Sequence, residues 1–187
     1  MNISPEEAQE ALASIELTRT KTQKGYGYNG YYLMIWGAVW FIGFLVSQFL
    51  QPHTAVVGWT WGGLVLVAWI SSAVLGINQA RNVRSQTGQQ IGFFFLALFA
   101  FAGLWFILLA PRNTEQGVMF FVSLIMFGGV IAGIFYRNLA IVVGSLFATV
   151  LALAGYYLLP GYFYLWEAIF GGLAMLIPGV VLRLRWR

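Results

Sequence analysis

Cysteine is absent from this 187-residue chain, histidine occurs once, as His53, and charged residues make up only 9% of the total. Without a thiol there is no disulfide, no thiolate metal site and no cysteine nucleophile. A lone histidine builds neither a multi-histidine metal site nor a haem pair, and beside Pro52 it reads as an exposed loop residue. The long apolar stretches hold no aspartate and a single glutamate, Glu167. They contain no histidine or lysine to act as a base for Ser71, Ser72, Ser123, Ser145 or Thr149. Those hydroxyls are expected to return a hydrogen bond to their own helix or to a neighbour. Paired catalytic carboxylates and phosphate-binding glycine loops are missing as well. The chain therefore reads as a non-enzyme, with no cofactor and no metal.

Hydrophobic residues are present in excess, at 60% of the chain. They fall into six stretches of 20 to 23 residues, over 30–50, 55–77, 91–110, 117–136, 139–159 and 162–182. At about 1.5 Å per helical residue each reaches roughly 30 Å, the thickness of the hydrocarbon layer. The runs are apolar throughout, without the alternation of a barrel strand. The expected fold is all-α, a polytopic transmembrane bundle of six helices whose partner is the lipid bilayer. The first apolar run follows about 29 mostly polar residues and is too long for a signal core, so it is expected to stay in the mature protein.

Six spans put both termini on one side. Nine of the ten Lys and Arg residues fall on that side (Arg19, Lys21, Lys24, Arg81, Arg84, Arg137, Arg183, Arg185 and Arg187), and only Arg112 on the other. This bias assigns both termini to the cytoplasm. The compact hairpins and strict bias point to a bacterial cytoplasmic membrane. The net charge of +4 is accounted for in the same way, so no nucleic-acid partner is expected. Tyr26, Tyr28, Tyr31, Tyr32, Tyr136 and Trp186 mark the cytoplasmic interface, and Trp59, Trp61, Tyr156, Tyr157, Tyr162 and Tyr164 the outer one.

Pro52, Pro111 and Pro160 lie in the outer connections, and each precedes a helix with a glycine pair: Gly62-Gly63, Gly128-Gly129 and Gly171-Gly172. The chain reads as three tandem helical hairpins. Parallel repeats of this kind differ from the inverted halves of many secondary transporters. Carried by Pro52 and Gly62, Pro111 and Gly128, and Pro160 and Gly171, the pattern resembles the small six-helix bacterial membrane proteins of the HdeD acid-resistance type over most of 30–182. That resemblance implies a compact membrane bundle without a known catalytic site and supplies no functional residues. The acidic N-terminal helix and the tryptophan content depart from it. Small residues also recur four apart, at Gly58 and Gly62, Gly129 and Gly133, Gly144, Ala148 and Ala152, and Ala168 and Gly172. Their expected role is close packing inside the bundle, with homo-oligomerisation the alternative. Pro178 with Gly179 should bend the sixth helix.

Residues 1–29 precede the membrane domain of 30–182, and 183–187 form a basic cytoplasmic tail. Ser4-Pro5-Glu6-Glu7 has the form of a helix start. Ala8, Ala11, Leu12 and Ile15 follow at helical spacing and make one apolar stripe. The acidic face formed by Glu6, Glu7 and Glu10 suits an anionic leaflet poorly, so this cytoplasmic amphipathic helix is expected to pack on the bundle or on a protein partner. The glycine-tyrosine alternation over Gly25–Gly30 lacks the threonine-valine portion and pore helix of a potassium filter and reads as a flexible joint. Asn78 to Gln90 is the longest expected loop.

Glu167 is the one ionisable side chain inside a span, and an intramembrane carboxylate is by default a proton carrier or cation ligand. Its ordinary alternative is contact with interfacial water or a pair with Arg112. Trp40 and Trp69 lie near mid-membrane, where no interfacial belt accounts for them. Two readings follow. In the first, the protein is structural, stress-related or docks a partner through the stripe of residues 8–15. In the second it is a small permease, channel or substrate-capture subunit for an apolar, aromatic or weakly cationic solute, with Trp40, Trp69 and Glu167 as the pocket.

Overall fold

A computed structural model describes residues 5–51, 53–82 and 86–185, with the backbone alone at 5–8, 11, 13–29, 80, 82 and 185. Ser4, Pro52, Arg84, Trp186 and Arg187, and the side chains of Ala8, Ala11 and Ile15, lie outside the described residues.

Helix α1 runs unbroken over Pro5–Leu50, 46 residues and about 70 Å. The expected joint at Gly25–Gly30 is corrected to continuous helix. Each glycine costs about 1 kcal/mol in a helix interior, but elongating a helix formed on both sides is far easier than nucleating one. Helices α2 (Thr54–Asn82) and α3 (Gln86–Leu109) take up most of the expected Asn78–Gln90 loop. Its Gln, Arg and Ala residues are good helix formers, so the polar sequence ends the apolar span without ending the helix.

Asn113 caps α4 (Thr114–Phe135) by accepting from the Gln116 N–H at 2.8 Å, and the Gln116 side chain accepts from the Arg112 N–H at 2.9 Å. The α4–α5 turn closes as a Schellman motif. Arg137 takes a left-handed conformation (φ 51°), its N–H donates to Ile134 and that of Asn138 to Gly133. Asn138 also caps α5 (Leu139–Leu158) by accepting from the Ala140 N–H. The last span starts as a 3₁₀ turn at Pro160–Tyr162 and continues as α6 (Phe163–Glu167), a π turn (Ala168–Leu173) and α7 (Ala174–Arg185).

The neighbour order around the bundle is α2, α1, the α6–π–α7 rod, α5, α4, α3. Sequential hairpin partners do touch, but the closest packing joins α1 to α7 and α4 to α5. Close backbone approach explains the first of these. A methyl built on Gly37 would stand 2.6 Å from the Leu176 nitrogen, one on Gly172 2.6 Å from the Phe41 nitrogen, and one on Gly179 2.8 Å from the Met34 nitrogen.

The small-residue motifs divide. Gly129 and Gly133 pack on α5, and Ala168 and Gly172 are buried, as expected of bundle packing. Gly58, Gly62, Gly63 and Gly144 face open space. The three glycine pairs are therefore not equivalent: Gly128 meets Phe95 and Leu98, Gly171-Gly172 meets α1, and Gly62-Gly63 meets nothing.

The core joins Val39, Trp40 and Phe44 of α1 to Ala68, Val122 and Phe163. Large apolar side chains such as Leu66, Val67, Phe93 and Ile107 point outward at 61 to 78% exposure. Such a surface is stable only in hydrocarbon, and six helices of the required length and apolarity carry it. The fold is an all-α, polytopic membrane bundle.

Candidate functional site

Gly30 of α1 and Arg183 of α7 meet at one end of the bundle; the opposite end, where α1 meets α2, α3 meets α4 and α5 meets the last span, holds most of the interior polar contacts among the described residues. In the last turn of α1, Gln48 donates to the Gly161 carbonyl at 3.1 Å and accepts from the Leu165 N–H at 3.0 Å. It thereby satisfies backbone groups left open where α6 begins. One residue earlier, Ser47 returns its hydroxyl to the Gly43 carbonyl and accepts from the Trp61 indole N–H at 2.9 Å. The Trp61 ring fills the space left by Gly43 and meets Phe44 edge-on, and Phe44 meets Trp40 in the same way. Gln51 donates to the Glu115 carboxylate at 2.8 Å, tying the α1–α2 connection to the first turn of α4.

α6 carries Tyr164 and Glu167 three residues apart, on one face. Both are 3% exposed, and neither the Tyr164 hydroxyl nor Oε1 of Glu167 has a hydrogen-bond partner. The Tyr164 hydroxyl lies within electrostatic reach of Glu115 and Gln51. Tyr164, expected in the outer aromatic belt, instead turns into the bundle, whereas Trp59, Tyr157 and Tyr162 are 83%, 73% and 65% exposed, as a belt requires.

Glu167 immediately precedes the π turn. There the Ala174 N–H reaches back five residues to the Ile169 carbonyl. A regular α-helix would turn Glu167 and Gly172 about 140° apart at roughly 100° per residue; a turn that bonds across five residues brings them towards one face. That face meets α1. A methyl on Gly171 would stand 2.8 Å from Cε3 of Trp40 and 3.4 Å from Oε2 of Glu167, so ring and carboxylate flank the same α-carbon. The expected alternatives for Glu167 fail: it is sealed from interfacial water, and no described cation pairs with it, Arg112 being exposed at the loop end.

The structure brings Trp40 to Glu167 and leaves Trp69 apart. Trp69 is 38% exposed on α2 and meets Phe99 of α3 edge-on at 5.5 Å, which bridges the α2–α3 seam. His53 is exposed. Of the proposed docking stripe, Leu12 is described and is 65% exposed, so the bundle does not cover it. Ser123 and Thr149 bond their own helices, whereas the buried Ser72 hydroxyl has no partner. Gln48, Gln51 and Glu115 were not singled out by sequence reasoning, and Tyr164 only as part of the outer aromatic belt. The available signal was the i, i+3 spacing of Tyr164 and Glu167; the remaining contacts span more than 60 residues of chain.

No family model, curated protein or solved structure matches this chain. Geometry and chemistry alone carry the functional argument for this polytopic membrane protein.

Proposed function

We propose that the protein is a small non-enzymatic permease or channel in which Glu167 takes up and releases a proton. The supporting observation is a carboxylate 3% exposed, with one oxygen unpartnered, set at a π turn against Trp40. A bundle selected only to pack gains nothing from such a group, because an unpaired carboxylate in a low-dielectric interior costs stability that an apolar side chain would not. Departures from packing rules of this kind concentrate at functional sites. A proton also fits better than an organic solute: the space beside the carboxylate does not admit even a methyl on Gly171. The nine-to-one distribution of Lys and Arg supports the proposal that both termini are cytoplasmic, and with the compact hairpins it supports a bacterial cytoplasmic membrane.

The test is proton flux in proteoliposomes loaded with a pH-sensitive dye, with potassium and valinomycin to remove the opposing potential. Wild-type vesicles should acidify faster than protein-free ones, and Glu167→Gln should return to the protein-free rate. Equal rates for wild type and E167Q would refute the reading.

A second reading rests on the part of α1 that precedes the span. A continuous helix with Leu12 exposed, next to acidic Glu10, suits a protein partner better than lipid. Isolation in gentle detergent should then recover a second chain in fixed ratio, lost on deleting residues 1–18. A monomer or homo-oligomer without a partner would overturn it.

A further inference from the structure

Glu167 lies about 10 Å along the helix from Pro160, so a proton reaching it has to cross protein. Towards the α1–α7 end the packing is tight in this conformation. Trp40 covers Gly171, Phe41 covers Gly172, and the Leu176 backbone meets Gly37, each approach being too close for an added methyl. Towards the loop end the interior changes character. Side chains in a helix lean towards its N-terminus, so the Glu167 carboxylate leans towards the turn of Tyr164 and Tyr164 leans towards the loops. The Tyr164 hydroxyl is buried without a hydrogen bond of good geometry, and the half-buried Glu115 carboxylate, held by Gln51, lies within its electrostatic reach.

We infer that Tyr164 and Glu115 form the proton inlet to Glu167, open to the loop end in this conformation, with Gln51 positioning Glu115, and that release to the other side requires α1 to part from the α6–π–α7 rod; this rests on the proton reading of Glu167. The transfer conserves atoms and charge. A protonated Glu115 gives its proton to the Tyr164 oxygen, directly or through water, while the Tyr164 hydroxyl hydrogen passes inward, directly or through water, to Glu167. Glu115 ends ionised, Glu167 ends protonated and Tyr164 is unchanged. A rotatable hydroxyl both donates and accepts, and this one is committed to neither. Glu115 sits in the first turn of α4, half-buried at the loop end and held by Gln51. The other described ionisable groups at this end are Arg112, His53, Tyr157 and Tyr162, all exposed, and Tyr156 of α5, which packs on Phe163. The last turns of α1 bring Ser47 and Gln48 here, and Gln51 follows in the α1–α2 connection; none of these side chains is ionisable.

The full chain in proteoliposomes decides this, with flux measured for wild type, Glu167→Gln, Tyr164→Phe and Glu115→Gln. Tyr164→Phe deletes only an unpartnered hydroxyl, so circular dichroism and gel filtration should match wild type. A positioned proton-transfer group contributes about 10²-fold or more, so Y164F should slow flux by about 10²-fold and E115Q should slow it too. Wild-type flux in both variants, with E167Q inactive, would overturn the inlet and leave the role of Glu167 standing. Wild-type vesicles no faster than protein-free ones, or E167Q as fast as wild type, would overturn both.

Discussion

Gly37→Ala should unfold the bundle more readily, and Gly62→Ala should not. The added methyl at Gly37 would stand 2.6 Å from the Leu176 nitrogen, 2.9 Å from its Cα and 3.0 Å from the Gly172 carbonyl oxygen. Those are backbone atoms of the facing rod, so no side chain can rotate aside. The shortfall from an ordinary contact of about 3.5–4.0 Å is about 1 Å, and α1 must separate from α7 along its closest seam. Overpacking of this kind costs about 1–3 kcal/mol, partly offset by the roughly 0.5–1 kcal/mol that alanine gains over glycine in a helix. At Gly62 nothing lies within 4 Å, and only the gain remains. The two variants should differ by about 2 kcal/mol, or about thirtyfold in the unfolding equilibrium. Reversible unfolding in mixed micelles, followed by the fluorescence of the eight tryptophans, measures this. Gly172→Ala, which meets the Phe41 backbone at 2.6 Å, should follow Gly37→Ala. Stability of Gly37→Ala equal to or above that of Gly62→Ala would refute the direct backbone contact of α1 with α7.

Replacing Gln48 with Leu removes both the bond to Gly161 and that to Leu165, and should cost about 1–3 kcal/mol in the same assay; an unchanged midpoint would refute its capping role. Asn138→Ala should cost about 1 kcal/mol through the lost α5 cap. Arg137→Gly should gain up to about 1 kcal/mol by relieving a left-handed non-glycine residue, and a loss would refute that account. Trp61→Phe and Ser47→Ala should be non-additive in a double-mutant cycle, with a coupling of about 1 kcal/mol; additivity would place the indole N–H elsewhere. Glu167→Met should raise stability while abolishing flux, and a less stable variant would make the carboxylate a structural group.

The candidate site was half legible. Glu167 stood out as the one carboxylate in an apolar span, and Trp40 as a tryptophan away from any interface. Trp69 looked the same in sequence, but the two tryptophans sit on helices whose rotation about their axes is set by packing: Trp40 turns inward and Trp69 towards Phe99 and lipid. Gly30 and Gly37 of α1, and Gly172 and Gly179 of the facing rod, form the tight seam but were not singled out as one in sequence, whereas the four-residue motif of Gly58 and Gly62, which was, packs on nothing. A membrane helix that is apolar all round carries no stripe to tell lipid from core.

Span number and approximate ends were determined by sequence alone, because a bilayer demands about 20 apolar residues per crossing and a satisfied backbone whatever the helices do next. Two things were decided only by tertiary structure: the π turn after Glu167, and the meeting of Gln51 with Glu115 and of Trp40 with Gly171. Both depend on which helix lies beside which. In a lipid-immersed bundle that choice rests on close backbone approach between particular glycines rather than on any difference in hydrophobicity.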